Sequence, residues 1–459
     1  MRNFKFPTKY DTLNYDQKLI FNMLIYGYVS NQHYFLTGNA GVGKTYLINV
    51  FDEFCRMNAI NLMKVAPTGV AATNIQGTTL HKGFKLPLSV VDEKLENAQY
   101  ANIQKTIRYV DILFIEEVSM VRIDIFDNVM KNIQEANKVR ARYNQNPIMV
   151  ILSGDFGQLM PVITEDDRKN YTKLTGRDID NGCCYNSHYW IDMDFKPIML
   201  TTPMRQQDVT FCRALDNIKI GIKADVDYLN NNCAQQPLPN GIWLCGYNNT
   251  ANQKNVEGLY NLPGNIIESK AVITGKANIK HTNLAEKLLY KKGARVMMTM
   301  NEGTIGGYHN GSLGTLVDVR PNRVRIKLDT GRTVDVFKTT IPFYEYDVCN
   351  GKMVQNQVGS VIQFPFKIGY AVTIHKSQGQ TYDTMNLVPE IFMPGQLYVA
   401  MSRCKNLDQI YIQPDKYGHR VTETKIMPNP EIIKFLIKID SEYNTWKQYY
   451  LSTVGFQED

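Results

Sequence analysis

Short apolar runs alternate with helical periodicities over the first part of this chain. Residues 14–26 have a helical period, with Leu13, Ile20, Phe21, Leu24 and Ile25 as the apolar face. Residues 33–36 are an apolar run of strand length. A glycine-rich turn follows, then a second periodic stretch carrying Leu47, Val50, Phe51 and Phe54. Residues 111–115 and 148–152 are two further buried-strand candidates, each followed by polar positions. Uniformly apolar short strands alternating with helices predict a parallel sheet covered on both faces. Such sheets bind ligands beyond the carboxyl ends of their strands.

The pattern changes near residue 303, in a passage holding Gly303, Gly306, Gly307, Gly311 and Gly314. Residues 315–320, 323–328 and 333–338 alternate or run short, with Pro321-Asn322 and Thr330-Gly331 as turns. This predicts a small antiparallel β-unit lasting to about residue 363, after which the α/β style returns. The fold class expected is therefore α/β, with a β-insert in the second half.

Composition changes this picture little. The 459 residues are 44% apolar and 21% charged, which excludes disordered, collagen-like and rod-like chains. The net charge of +7 permits a polyanionic partner without requiring one. Eight cysteines without a C-x-x-C pair argue for a reducing compartment over a disulfide scaffold. Cys183 and Cys184 lie near His188, but no further ligands stand at zinc spacing. The first residues lack the apolar core of a signal peptide, and no run approaches the roughly 18 apolar residues of a membrane span. An intracellular protein is expected, with no membrane partner: cytoplasmic in a bacterium or phage-infected cell, nuclear or mitochondrial in a eukaryote.

The strongest chemical signal is Gly38-Asn39-Ala40-Gly41-Val42-Gly43-Lys44-Thr45, which fits G-x-x-x-x-G-K-[ST] between a strand and a helix. Its backbone N–H groups would curl around nucleotide phosphates at a helix N-terminus, Lys44 adding charge and Thr45 a Mg²⁺ ligand. Glu116 and Glu117 follow a predicted strand. One suits Mg²⁺, through water, and the other suits activation of the attacking water. Gln158, after the next strand, could hydrogen-bond the γ-phosphate. Arg205 and Arg403 are candidates for meeting developing negative charge, although surface solvation explains either equally well.

Read in order, these segments resemble a superfamily 1 helicase, and more narrowly the petite-integration-frequency (Pif) family of 5′→3′ DNA helicases. The resemblance covers residues 10–415. Asn14-Tyr15-Asp16-Gln17 is similar to the adenine-reading motif, with Gln17 as the base contact. Gly154 to Val162 is similar to GDFxQLPPV, Thr373 to Thr381 to TIHKSQGxT, and Tyr398 to Arg403 to YVAxSR. The departures are Glu116 where Asp is usual, Met160 where Pro is usual, and a loose fit between Met120 and Ile148.

The resemblance implies two RecA-like domains with ATP and Mg²⁺ in the cleft between them. Residues 1–194 would be the first, with a small insert at about 80–105. Residues 195–302 and 364–459 would be the second, with an SH3-like insert at 303–363. Gly379 and Gln380 would approach the nucleotide. DNA contacts would come from Pro67, Thr68 and Gly69, from Thr79 and His81, and from His375 and Lys376. Phe84 is a candidate strand-separating wedge, with core packing as its alternative. Arg323, Arg325 and Lys327 alternate with apolar residues, so one face of that strand is cationic. That face either meets DNA or is simply solvated. The implied partners are single-stranded DNA and forked or 5′-tailed duplex, with a G-quadruplex as a further candidate, and a monomer is the favoured state. A RecD-like or Dda-like helicase and a DNA-dependent P-loop ATPase that does not unwind are the competing readings.

Overall fold

The predicted apolar runs become strands within one residue of their expected bounds. They are β1 (Tyr34–Thr37), β4 (Ile112–Ile115) and β5 (Met149–Ser153), and the structure adds β2 (Leu62–Ala66), β3 (Thr78–Thr79) and β6 (Lys196–Met199), which no predicted run had marked. These form one parallel sheet in the order β3-β2-β4-β5-β1-β6. β1, β4 and β5 are buried along their whole length, as expected of strands covered on both faces. The computed structural model describes residues 4–86, 107–206, 208–277, 279, 282, 284–300, 308, 311–349 and 352–455. Most of the expected 80–105 insert, Gly303 to Gly307 and the last residues lie outside these.

The helix Tyr15–Ser30 starts at a capping box. The Asn14 side chain accepts from Gln17 N–H, and the Gln17 side chain accepts from Asn14 N–H. Its predicted face is the buried one, with Leu13, Ile20, Phe21 and Leu24 in the core. The last helix, Pro430–Thr453, adds Ile432, Ile439, Tyr443 and Tyr450 to the two hydrophobic clusters flanking this same sheet. Burying such side chains is worth about 1.5–3 kcal/mol each.

Two compact units result. The first is Met1–Gln207, Lys219–Gly221 and Pro428–Asp459, and the second is Asp208–Ile218 and Ile222–Met427. The expected boundaries at 194 and 364–459 are corrected at both ends. β6 pairs with β1, so the first sheet runs beyond residue 194. The C-terminal helix, with no motif to place it, covers the first sheet.

The second unit contains β7 (Ile242–Cys245), β8 (Ile267–Lys270), β9 (Val272–Gly275), β10 (Lys287–Tyr290) and β11 (Arg295–Met298). Then follow β12 (Leu313–Val319), β13 (Arg323–Leu328), β14 (Thr333–Phe337), β15 (Thr339–Cys349), β16 (Lys352–Gln363) and β17 (Phe366–Ile368). Last come β18 (Ala371–Thr373), β19 (Met385–Leu387) and β20 (Ile410–Ile412). A parallel sheet, β18-β7-β19-β20, carries the α/β part. The antiparallel β-unit forms as predicted but is wider than 303–363. Its sheet β14-β13-β12-β11-β17 recruits strands on both flanks, and β9 joins β15 and β16 in another.

Candidate nucleotide site and nucleic-acid face

The phosphate-binding loop links β1 to the helix Lys44–Met57. Gly41 and Gly43 sit at φ 84° and 87°, the left-handed region that favours glycine. A Cβ at Gly43 would lie 2.6 Å from Gln17 Nε2, and one at Gly41 would lie 2.6 Å from Arg205 Cβ. Gln17 and Arg205 therefore close on the loop from two sides. The Met204 N–H donates to Gly41 C=O at 3.0 Å. Asp16 accepts from the Thr201 and Thr202 hydroxyls at 2.6 and 2.7 Å, which ties the Arg205 segment to the first helix.

Lys44 Nζ donates to the carbonyls of Gly38 and Asn39 at 2.6 and 3.1 Å. Desolvation holds this ammonium below its ordinary value, against the pull of Asp155, Glu117 and Glu116. The Thr45 hydroxyl donates to Glu116 Oε1 at 3.1 Å. Burial pushes the Glu116 carboxyl up, with the neighbouring Ser153 hydroxyl, Lys44 and Thr45 opposing. Glu116 Oε2 is buried with no hydrogen-bond partner among the described residues. A buried, half-satisfied carboxylate beside a hydroxyl fits a Mg²⁺ ion that keeps most of its ligands as water and phosphate. Among the described residues no group of three His, Cys, Asp or Glu side chains forms a separate metal site, and Cys183 and Cys184 are buried free thiols.

Glu117 adopts φ 50°, ψ 44°. The left-handed conformation costs an L-residue about 1–2 kcal/mol. This turn separates adjacent carboxylates, leaving Glu116 buried against Thr45 and Glu117 half-buried. Such strain recurs at functional positions.

After β5, Asp155 accepts from Gly157 N–H at 3.0 Å and from Gln158 Nε2 at 3.3 Å. Lys219 Nζ lies 2.8 Å from Asp155 Oδ1 and donates to Asn39 Oδ1 at 2.8 Å. Burial alone would raise the Asp155 carboxyl, but Lys219 and Lys44 outweigh it and hold it low. Asp155 and Lys219 therefore fasten the Gln158 turn to the phosphate loop. A Cβ at Gly157 would lie 2.1 Å from Lys219 Cε, so glycine there makes room for the lysine stem. Sequence reasoning assigned no role to Lys219, which stands in no recognisable motif about 60 residues after Gln158. Asp155 was in view, inside the GDFxQLPPV-like segment.

The first unit thus brings together Gln17, residues 38–45, Glu116, Glu117, Gln158 and Arg205. Pro67, Thr68 and Gly69 follow β2, while Thr79 and His81 lie at and after β3, two strands on the same carboxyl edge. The Thr68 and Thr79 hydroxyls accept from Ala71 and Lys82 N–H and so act as helix caps. Phe84 is fully buried in a core cluster with Val65, Leu80 and Leu113. The wedge expectation is corrected: the ring has no exposed surface, and the core-packing alternative holds.

In the second unit Arg403 is 1% exposed. Its guanidinium donates to the carbonyls of Val399, Ser377 and Gln380 and to the Ser402 hydroxyl. The Gln380 Oε1 accepts from the Tyr382 hydroxyl at 2.7 Å. Gly379 is at φ 75°. His375 and Lys376 follow β18, with Lys376 exposed. On β13, Val324, Ile326 and Leu328 are buried and the three cations face outward, as the alternation predicted. Arg325 is paired through two bonds to Asp335, and Arg323 bridges Asp335 and Asp318.

Residues 12–220 match the family model described as PIF1-like helicase. The Pif1 ATP-dependent DNA helicase of Campylobacter jejuni is 28% identical over 420 residues, covering 83% of this chain and 89% of the relative. The zebrafish (Danio rerio) PIF1 enzyme is also 28% identical, over 94% of this chain but only 64% of its own length. The crystal structure of Bacteroides Pif1 with ADP-AlF4 superposes with a TM-score of 0.76 at 28% identity, covering 94% of this chain and 98% of that one. Bacteroides Pif1 bound to single-stranded DNA gives 0.67 at 29%, with the same coverage. No helix among the described residues is long and apolar enough to cross a membrane.

Proposed function

We propose that this chain, an ATP-dependent DNA helicase of the PIF1-like family, moves 5′→3′ along single-stranded DNA and unwinds 5′-tailed or forked duplex as a monomer. The observation that carries this reading is the convergence of Lys44, Thr45, Glu116, Glu117, Gln158 and Arg205 on one phosphate loop.

In this reading the loop's N–H groups and Lys44 hold the β- and γ-phosphates, and Gln17 Nε2 reads the adenine. Thr45 and Glu116 hold Mg²⁺, which supplies charge neutralisation at the phosphates. Glu117 orients the attacking water and takes its proton. Arg205 meets the charge developing on the transferred phosphoryl group. Gln158, held by Asp155, reports the loss of the γ-phosphate. Arg403, Gly379 and Gln380 lie in the second unit, where they are the nucleotide-binding candidates. Stepping then requires that ATP and DNA each favour different states of the motor.

The test is single-strand-stimulated ATP hydrolysis in Lys44→Met and Glu117→Gln. Turnover should fall by at least about a hundred-fold in each, a loss typical of removing a catalytic electrostatic or base group. Single-strand binding should be largely kept. Near-normal stimulated turnover in either variant would reject the site assignment.

A further inference from the structure

Two rings with no role assigned so far, Tyr247 and Phe392, meet the DNA-contact candidate His375 at the carboxyl edge of the second parallel sheet. The adjacent strands β18, β7 and β19 are followed by His375, Tyr247 and Phe392, respectively. Tyr247 and Phe392 are stacked, with centroids 4.8 Å apart and planes within 10°. His375 continues the stack on Phe392 at 6.5 Å and 24°. Tyr247 is 50% exposed and Phe392 43% exposed. Parallel aromatic planes held half in solvent forgo about half of the burial that the chain's other large rings mostly obtain.

The stack is built rather than incidental. Glu390 accepts from the N–H groups of Gly246 and Tyr247 at 3.1 and 3.3 Å and from the Thr250 hydroxyl at 2.7 Å. These bonds lock the loop after β19 onto the loop after β7. A Cβ at Gly246 would lie 2.0 Å from Glu390 C=O, so glycine permits the close approach. Glu390 has its charge engaged by these three donors.

We propose that Tyr247 and Phe392, extended by His375, are a stacking platform for the bases of single-stranded DNA. The proposal rests on the helicase reading above and deepens it, naming where the strand's bases are gripped. Every base has a π-face, so the grip is indifferent to sequence, as a translocating motor requires.

The test compares the full chain with Tyr247→Ala and Phe392→Ala, using a labelled oligothymidylate and an abasic strand of equal length. Each alanine variant should bind the oligothymidylate roughly ten-fold more weakly, the scale of losing one base–aromatic stack. Binding to the abasic strand and the salt slope of binding should not change, because no cation is removed. Tyr247→Phe and Phe392→Tyr should bind as the parent does. Unchanged affinity of the alanine variants for the oligothymidylate would overturn the platform, as would an equal loss on the abasic strand. Single-strand-stimulated ATP hydrolysis by the parent separates the two readings. If stimulation is absent, the helicase reading fails; if it is present without the alanine effect, the platform alone fails.

Discussion

His33, at the entry to β1, shows how one side chain sets a stability limit. Its Nδ1 accepts the Val150 N–H at 3.0 Å, which requires a neutral ring. Burial lowers its pKa from 6.5 to about 4, partly offset by Asp194. The unfolded chain therefore binds this proton more readily than the folded one. The group's contribution is present above pH 6.5 and is lost as pH falls toward about 4. Between pH 7 and pH 5 the parent should lose about 2 kcal/mol from this residue alone. His33→Gln should flatten that part of the acid limb, measured by urea unfolding at the two pH values; an unchanged pH dependence would reject the assignment. At this same scale, Lys44 and Thr45 were candidates because the spacing of the glycine loop points to phosphate, and the Glu pair became one only through its place after a strand in a chain that holds that loop. Lys219 was not, because it reaches Asp155 and Asn39 only through folding.

At the scale of elements, β13 separates pattern from partner. Alternation correctly placed Val324, Ile326 and Leu328 inside and Arg323, Arg325 and Lys327 outside. It could not show that Asp335, across on β14, and Asp318, on β12, already balance the two arginines. Replacing all three cations with glutamine should therefore lower the salt slope of single-strand binding by less than about one, the share of Lys327. A fall near two would mean that all three meet phosphate, and the DNA-facing reading of this strand would return. Phe84 teaches the same lesson in reverse. The family resemblance made it a wedge candidate, with core packing as the alternative, and the helix Leu80–Gly83 turns it into the core beside Leu80.

At the scale of the whole molecule, the proposed 5′→3′ direction rests on the resemblance of residues 373–381 to TIHKSQGxT. A duplex with a 5′ single-stranded tail should be unwound with ATP, and one with only a 3′ tail should not. Efficient unwinding from the 3′ tail alone would reject the family's polarity for this chain. The sequence by itself determined what local physics can encode: apolar runs that must be strands, a glycine loop with left-handed turns, and alternation that orients a strand. Only the tertiary structure decided which partners these elements meet. It assigned the C-terminal helix to the first sheet, joined Lys219 to Asp155, paired the β13 arginines and stacked Tyr247 on Phe392. The reason is that periodicity reports which face of an element is buried, whereas contacts between residues distant in sequence depend on the packing of several elements at once.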